Sequence, residues 1–334
     1  MLGRIIKRSY HCPKRIRTVN IVTLTLSPAL DKSATVERIA PEHKLRCSTP
    51  RLDAGGGGIN VSKGIQRLGS ASTAVFPVGG PNGRRLIDLV TDAGISAETI
   101  EVSGETRENF SVLETDTGAQ YRFTMPGQSV SEAEAETCLE AVRRLRPDIL
   151  VASGSLPPGL PATYYANVAS LAKQIGARFV LDTSGAALQA AAHEGLFLLK
   201  PNLGELSALV GVEKLEMNQV DDAAMEIIHR GKCSVVVVSL GPHGALLATR
   251  DGFVHVAAPI VDKRSTVGAG DSMVAGMVWA LGQGKQPLEM AQVGVACGTA
   301  ATMNLGTELF RPDDVWRLFD WIQTFGKRYR FTDF

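Results

Sequence analysis

The stretch STVGAGDSMVAGMVWAL, residues 265–281, joins a glycine-rich turn to a run of small and apolar residues that is compatible with a helix. Gly268, Ala269 and Gly270 lead directly into Asp271. Glycine lets the backbone approach a ligand closely, and the free amides at a helix start attract anions. The stretch therefore predicts an anion hole for a phosphoryl group, formed by the amides of Gly268, Ala269 and Gly270.

Asp271 stands beside this predicted anion hole, although a carboxylate repels an anion. Its place suits a general base that takes a proton from an attacking hydroxyl group. The alternative is a helix N-cap, because Asp before a helix is common. The stretch is not a Walker P-loop, since no GKS or GKT follows. It is not the GxGxxG dinucleotide fingerprint either, since Asp271 and Ser272 follow the second glycine.

The composition is that of a globular protein and excludes several classes of function. The chain has 334 residues, of which 44% are hydrophobic and 21% charged, and its formal net charge of +1 gives no indication of a nucleic-acid partner. No run reaches the roughly 18 apolar residues of a membrane span. The five cysteines lack CxxC or zinc-ligand spacing. We therefore expect reduced thiols, a cytoplasmic location and no structural metal.

Residues 1–17 differ in charge from the rest of the chain. They hold six Lys or Arg and no acidic residue, whereas the remainder carries 29 basic and 34 acidic residues. No apolar stretch there could serve as the core of a signal peptide. We expect a disordered N-terminal extension, with a targeting signal as the alternative. One domain would then span residues 18–326, followed by a short tail, 327–334.

Short apolar runs rich in β-branched residues alternate with segments of helical period. Alternation of nearly continuous apolar strands with helices predicts an α/β fold whose mostly parallel sheet is covered on both faces. The predicted strands are 20–26, 73–80, 148–154, 177–185, 196–202 and 234–241. The predicted helices are 58–68, 82–94, 131–145, 161–175, 203–211 and 219–231. The chain after Leu281 is expected to continue as helix.

Several predicted strands end in clusters of polar residues. These clusters are GSLPPG (154–159), DTSG (182–185), KPNLGE (200–205) and SLGPHG (239–244). Structural turns also use Gly and Pro, but the added Lys, Asn, Asp and Glu favour a binding site. Ligands of such sheets bind beyond the carboxyl ends of the strands, where these clusters lie.

Two segments break the alternation of strands and helices. SATVERIAPEHKLRC (33–47) and ENFSVLETDTGAQYRFTMPG (108–127) alternate polar and apolar residues, which is typical of antiparallel strands with one solvated face. We expect them to form a lid over the site, at about 33–49 and 107–127, that excludes water from a transfer reaction. The exposed face of the lid suggests a homodimer.

A second glycine-rich stretch, DAGGGGINVSKGIQRLG (53–69), places four consecutive glycines before a predicted capped helix. A flexible hinge is one interpretation. The other is sugar binding, because a backbone without side chains can approach a sugar, and Asn60 in the first helical turn offers a donor and an acceptor. Asp31 follows the first strand in LSPALDK (26–32), where its carboxylate can accept two hydroxyl hydrogen bonds.

Three motifs in this order resemble the signatures of the ribokinase-like (PfkB) carbohydrate kinase family. They are GGGGINVSKGIQRLG (55–69), NLGE (202–205) and TVGAGDSMVAG (266–276), and the resemblance covers about residues 19–325. It implies a ribokinase-like three-layer α/β/α sandwich with a mostly parallel sheet, a small antiparallel β-sheet lid shared in a dimer, and MgATP as the phosphoryl donor.

Further motifs are most similar to the minor bacterial 6-phosphofructokinase branch of the family: TREN (106–109), QYRFTMPG (120–127) and ASGSLPPG (152–159). The 1-phosphofructokinases and tagatose-6-phosphate kinases typically have Lys at the position of Gly57. The resemblance thus implies ATP-dependent phosphorylation of fructose 6-phosphate at its C1 hydroxyl, a step of glycolysis. Those two activities remain alternatives, and an inactive sugar-phosphate sensor is an alternative of another class.

Site residues follow from the resemblance, motif by motif. Asp271 resembles the catalytic base beside the amides of Gly268, Ala269 and Gly270. The substrate-binding residues that it implies are Asp31, Lys44, Gly56, Gly57, Asn60, Arg107 and Ser155. Arg107 and Lys44 would match the charge of the sugar phosphate.

The resemblance also implies residues for ATP and cations. The implied cofactor-binding residues are Lys200, Asn202, Glu205, Ser239, Gly241, Gly244 and Gly298. Glu205 would hold Mg²⁺ through water. A monovalent cation, K⁺, would be bound by backbone oxygens of Ser265, Val267, Asn304 and Gly306.

Two positions depart from the pattern of the similar branch. Gly204 stands inside NLGE where that branch has Lys, which puts a second nucleotide site and regulation by ATP in doubt. Ala40 stands at the start of the lid where that branch has a tyrosine at its dimer contact, which puts the strength of the lid interface in doubt.

Overall fold

Two β-sheets organise the described residues, 19–306 and 308–326, in this computed structural model. The strands are β1 Ile21–Leu24, β2 Ala29–Val36, β3 Arg51–Gly55, β4 Thr73–Val78, β5 Ser96–Glu101, β6 Arg107–Glu114, β7 Gln120–Phe123, β8 Ile149–Ser153, β9 Arg178–Asp182, β10 Leu196–Leu199, β11 Cys233–Ser239, β12 Ala245–Thr249 and β13 Gly252–Val256. The helices are α1 Gly57–Arg67, α2 Gly80–Asp92, α3 Glu132–Leu145, α4 Tyr164–Ile175, α5 Gly185–Ala191, α6 Leu203–Val210, α7 Val220–His229, α8 Ala269–Gly282, α9 Pro287–Thr302 and α10 Pro312–Phe325. The predicted extension 1–17 and tail 327–334 lie outside the described residues.

The larger sheet has nine strands in the order β13-β12-β11-β10-β9-β8-β1-β4-β5. All neighbours from β5 to β11 pair in parallel, whereas β12 and β13 add an antiparallel edge. The mostly parallel sheet is therefore confirmed. All six predicted strands and all six predicted helices are present, with bounds shifted by a few residues.

Helices bury both faces of this sheet, because its strands are apolar on both sides. In β8, Leu150 and Ala152 join a core formed with α3 to α7, whereas Ile149 and Val151 join a core formed with α1, α8, α9 and α10. Alternate residues of one strand thus serve two separate cores. This arrangement confirms the three-layer α/β/α sandwich.

The smaller sheet has the order β3-β2-β6-β7 and forms the lid. Its outer pairs are antiparallel, as expected, and its central pair, β2 with β6, is parallel. Below it, Ala54 packs with Ile59, Phe76 and Leu86 in a small third core.

The lid strands predicted over 33–47 lie elsewhere. β2 begins at Ala29 and ends at Val36, and β3 starts only at Arg51. The segment 37–50 between them is mostly exposed and has no strand, because it has no sheet face to pack against and Pro41 cannot donate a ladder hydrogen bond.

Two further differences from the sequence prediction are local. The polar segment Ser96–Glu101 pairs with β4 as the edge strand β5. The chain beyond Leu281 is not one continuous helix, because α8 ends in a turn at Gly284, whose φ is 71°, before α9 begins. Among the described residues, no helix has the length and apolar character needed to cross a membrane.

The crossing of α1 over α8 depends on a glycine. A Cβ atom built on Gly64 would lie 2.4 Å from the Cβ of Ala275 and 3.3 Å from the Phe310 ring. Gly64→Ala should therefore lower the free energy of unfolding in urea by about 1–3 kcal/mol through overpacking. The matched control is Gly204→Ala, whose new Cβ would meet only Asn202 Oδ1 at 3.4 Å. Equal stability of the two variants would contradict the close crossing.

Candidate active site

The two glycine-rich motifs meet at the carboxyl-end edge of the large sheet. Asn60, in the first turn of α1, donates a hydrogen bond from Nδ2 to Oδ2 of Asp271, in the first turn of α8, at 2.8 Å. The starts of two helices that are 211 residues apart in sequence therefore share one polar contact.

The glycine run 55–58, which leads into the start of α1, is needed for close packing, so the hinge interpretation is wrong. Gly56 has a φ of 114°, and a Cβ there would lie 2.6 Å from the Thr25 side chain. A Cβ on Gly57 would lie 2.2 Å from Ser153 Oγ, at the end of β8. The helix was expected to be capped, but Gly56 at the N-cap position has no side chain to do so. The run brings backbone against the ends of β1 and β8.

The start of α8 has the geometry of an anion hole. Gly268 occupies the N-cap in a left-handed conformation, with a φ of 73°. The amide of Ala269 donates to Thr266 O at 3.3 Å, whereas the amides of Gly268, Gly270 and Asp271 have no acceptor within the part of the chain that is described. Unpaired amides at the positive end of the helix thus remain for an anion, whereas Ala269, one of the three predicted donors, uses its amide within the turn. Because Gly268 is the N-cap, the interpretation of Asp271 as the cap is wrong.

Asp271 has a carboxyl group with a raised pKa. Burial and then the nearby charge of Asp182 raise this pKa, the Asn60 hydrogen bond and the Lys200 charge oppose the rise, and the net pKa is about 6. Such a carboxylate is ionised at neutral pH and still basic enough to take a proton.

A buried ion pair lies next to this carboxylate. Lys200 Nζ contacts Asp182 Oδ1 at 3.0 Å, with side chains 6% and 14% exposed. Burial disfavours the charge on Lys200, but the carboxylates of Asp182, Glu205 and Asp271 outweigh burial and raise the pKa of Lys200. A Cβ built on Gly270 would lie 3.7 Å from Lys200 Nζ, so this cation stands beside the anion hole.

The lid contributes a second polar group. Asp31 Oδ1 accepts a hydrogen bond from Asn109 Nδ2 at 2.9 Å, between β2 and β6. Arg107 donates to the backbone oxygens of Ser27 at 3.0 Å and Met125 at 3.2 Å. Burial raises the pKa of Asp31, against the Asn109 hydrogen bond and the charges of Lys63 and Arg107. Asp31 and Arg107 thus lie at one end of the lid.

The NLGE motif forms a capping box at the start of α6. Glu205 N donates to Asn202 Oδ1, and Asn202 N donates to Glu205 Oε2, both at 2.9 Å. This reciprocal pair fixes the Glu205 side chain, with Oε1 left over for other partners. Asn202 also bridges to Ser239 at the end of β11, where Ser239 N donates to Pro201 O at 2.8 Å.

The loop after β11 turns sharply. Gly241 and Gly244 have φ values of 58° and 91°, and a Cβ on Gly244 would lie 2.0 Å from Val256 O. Gly298 lies in α9 against the start of α8, because a Cβ there would be 3.2 Å from Ala269 O. Its lack of a side chain therefore permits helix packing beside the anion hole.

The four residues predicted to bind a monovalent cation lie in two adjacent loops. Ser265 Oγ donates to Gly306 O at 3.4 Å and accepts from Val267 N at 3.2 Å. Asn304 is buried and donates to Leu309 O at 3.0 Å. The fold thus brings these loops together next to the start of α8.

Two predicted residues are exposed. Lys44 lies in the strandless segment 37–50, and Ser155 follows β8 with an exposed side chain. The sequence analysis assigned no role to Asp182 or Asn109. Asp182 ends β9 inside the polar cluster DTSG, and Asn109 closes TREN, so a signal for both was present.

The fold and this site define a class of protein, the carbohydrate kinases. The model of the pfkB family carbohydrate kinases matches residues 24–314. The chain belongs to this family, has the ribokinase-like fold, and is a kinase that transfers a phosphoryl group to an alcohol.

Named relatives within this family are similar to the chain over most of its length. The ATP-dependent 6-phosphofructokinase isozyme 2 of Escherichia coli K12 is 44% identical over 306 residues, covering 91% of this chain and 99% of that protein. The protein of the same name from Mycobacterium tuberculosis H37Rv is 44% identical over 302 residues, covering 90% and 89%. The crystal structure of phosphofructokinase-2 from E. coli in complex with potassium superposes with a TM-score of 0.89, at 44% identity, over 91% of this chain and 99% of that one.

The buried ion pair predicts a stability difference between two lysines. Lys200→Met should lower the free energy of unfolding by about 3 kcal/mol, because it leaves the carboxylate of Asp182 without its counter-charge. Lys285→Met is the control, since Lys285, just before α9, pairs with Glu289 at 2.8 Å with side chains 40% and 32% exposed, and such solvent-exposed pairs contribute about 0–1 kcal/mol. Urea unfolding at pH 7 measures both. Equal losses would contradict the structural role of the pair.

Proposed function

We propose that this chain phosphorylates fructose 6-phosphate at its C1 hydroxyl with MgATP, giving fructose 1,6-bisphosphate. The observation that carries the proposal is the Asn60–Asp271 hydrogen bond, which joins a sugar-binding amide to a base at a helix start. The names of the two relatives at 44% identity support the same substrate, as does Gly57 at the position where 1-phosphofructokinases typically have Lys.

Each residue at the sheet edge has a part in the transfer. Asp31 and Asn60 bind sugar hydroxyls, while Gly56 and Gly57 let the sugar lie against backbone and Ser155 borders it. Asp271 accepts the C1 hydroxyl proton as that oxygen forms its bond to the γ-phosphorus and the bond to the ADP oxygen breaks. The amides of Gly270 and Asp271, in the turn made by Gly268 and Ala269, stabilise the equatorial oxygens.

The sugar phosphate needs cations near the lid. Arg107 is half-buried and donates two hydrogen bonds to backbone oxygens. Its Nε is buried without a partner among the described residues. Arg107 therefore retains donors for the sugar phosphate. Lys44, exposed between β2 and β3, adds charge when the segment 37–50 approaches the site.

The donor set at the end of β10 fits MgATP as the second substrate. Kinases of this family use ATP with Mg²⁺. Lys200 supplies charge next to the anion hole, and the fixed carboxylate of Glu205 is suited to hold Mg²⁺ through water, because this ion keeps several waters. The nucleotide is bordered by Asn202, Ser239, Gly241 and Gly244. Gly298 lies behind these residues.

A monovalent cation, K⁺, is the partner proposed for the adjacent loops. The hard backbone oxygens of Ser265, Val267, Asn304 and Gly306 suit such an ion, and the E. coli relative was crystallised with potassium. In this position the ion would support the start of α8.

The buried, unpaired thiols of Cys138, Cys233 and Cys297 fit a cytoplasmic protein.

A panel of phosphosugars tests the proposed function. Fructose 6-phosphate, tagatose 6-phosphate and fructose 1-phosphate are each supplied with MgATP, and ADP release is followed. Fructose 6-phosphate should give the highest kcat/KM. A preference for either of the others would assign the alternative kinase activity, and binding without ADP release would identify a sensor.

The role of Asp271 predicts a loss of turnover. Asp271→Asn should lower kcat by about 10²–10⁴-fold, the usual contribution of a general base. The KM for ATP should stay near the wild-type value, because the amide retains the shape of the side chain. Near-wild-type turnover in this variant would reject the assignment.

The pKa of Asp271 predicts the acid limb of the pH profile. Below a pKa of about 6 the carboxyl is protonated and cannot accept a proton, so kcat at saturating substrates should fall as pH drops through this value. The residual activity of Asp271→Asn should lack this limb. A wild-type kcat that stays constant from pH 7 to pH 5 would contradict the pKa.

The lid provides the surface for a homodimer. Tyr121, Phe123 and Met125 are 39%, 48% and 47% exposed on or next to β7. Phe123→Glu should shift the chain from dimer to monomer in analytical ultracentrifugation, because it places a charge in an apolar contact. The control is Phe253→Glu, an exposed aromatic residue on β13 outside the lid. A wild-type monomer would remove the dimer from the proposal.

A further inference from the structure

Lys63 is a half-buried lysine to which the proposed reaction gives no part. It lies in α1, one turn after Asn60, and its Nζ donates a hydrogen bond to the backbone oxygen of Ala54. Ala54 belongs to β3, the lid strand that runs directly into the glycines before α1. This bond ties the helix that carries Asn60 to the base of the lid.

Two carboxylates of the lid interact electrostatically with this lysine. Asp31 of β2 and Asp53 of β3 are directly opposite each other in the antiparallel pairing, so both side chains lie on the same face of the lid. Like charges in this position destabilise a sheet. Lys63 interacts favourably with both carboxylates, and it lowers the pKa of Asp31 more than Arg107 does.

Other charged groups around Lys63 already have partners. Arg51 of β3 binds Asp53 at 2.9 Å and approaches Glu308 to 4.0 Å. Arg67, the next turn of α1, donates to Phe310 O at 2.9 Å and also interacts with Glu308. Lys63 is therefore the cation of α1 that is placed to balance Asp31.

We propose that Lys63 is a positioning residue for the sugar-binding carboxylate: its ammonium holds β3 against α1 and balances Asp31 and Asp53. Asp31 is thereby held in place and directed at the sugar hydroxyls. The inference rests on the proposed function, which places Asp31 against the sugar. Lys63 itself touches neither substrate.

The proposal links sugar affinity to alkaline pH. Burial lowers the pKa of Lys63 to about 8, while Asp53 and Asp31 raise it and Arg67 and Arg51 lower it. Lys63 is thus charged at pH 7 and loses its proton as pH rises through about 8. The KM for fructose 6-phosphate should rise over that range, whereas the KM for ATP should not follow it.

Two substitutions separate charge from packing. Lys63→Met keeps the length of the side chain without its charge and should raise the KM for fructose 6-phosphate about tenfold at pH 7. The kcat and the KM for ATP should remain near wild type, and Lys63→Arg should restore the sugar KM. Lys173→Met, on the exposed surface of α4, is the matched control and should behave as wild type.

The outcomes distinguish this inference from the proposed function. A wild-type protein without ADP release on any of the three phosphosugars refutes the function. An active wild type whose sugar KM is constant from pH 7 to 9 refutes the role of Lys63, and this measurement needs no variant to fold. An unchanged sugar KM in Lys63→Met, or a fall in kcat alone, refutes it as well.

Discussion

The site depends on one hydrogen bond between helix starts, from the amide of Asn60 to the carboxylate of Asp271. A half-buried carboxylate beside Asp182 is costly to ionise, which is why its pKa rises to about 6. The Asn60 bond and the charge of Lys200 limit this rise. The same two helix starts also present free backbone to ligands, so one contact fixes both the base and the surfaces around it.

Glycine makes this contact sterically feasible. Gly57 approaches Ser153, Gly64 approaches Ala275, and Gly298 approaches Ala269, in each case at distances that leave no room for a side chain or require neighbours to shift. α1, α8 and α9 are thereby drawn together on one face of the sheet. Gly57 and Gly64 both belong to the first glycine-rich motif (55–69), so this one motif allows ligands to approach the backbone and also lets the helices pack.

Much of the fold could be predicted from the sequence, because its strands are short apolar runs and its helices have clear periodicity. The lid was predicted less well: the segment 37–50 alternates in polarity like a strand but is mostly exposed and forms no strand, and β5 is polar because it is an edge strand. The bond between Asn60 and Asp271 and the pair Lys200–Asp182 join residues far apart in the chain, and no local pattern reports such contacts. The electrostatic interaction of Lys63 with Asp31 could not be predicted from the sequence for the same reason.

A carbohydrate kinase needs its base close to the acceptor oxygen and its amides close to the migrating phosphoryl group, since phosphoryl transfer relies on position and charge. The most direct measurement is a crystal structure with fructose 6-phosphate and a non-hydrolysable ATP analogue bound together. The account predicts an Asp271 carboxylate oxygen about 3 Å from the C1 hydroxyl oxygen, with the γ-phosphate at the start of α8. A carboxylate turned away from that hydroxyl and beyond hydrogen-bond reach would contradict it.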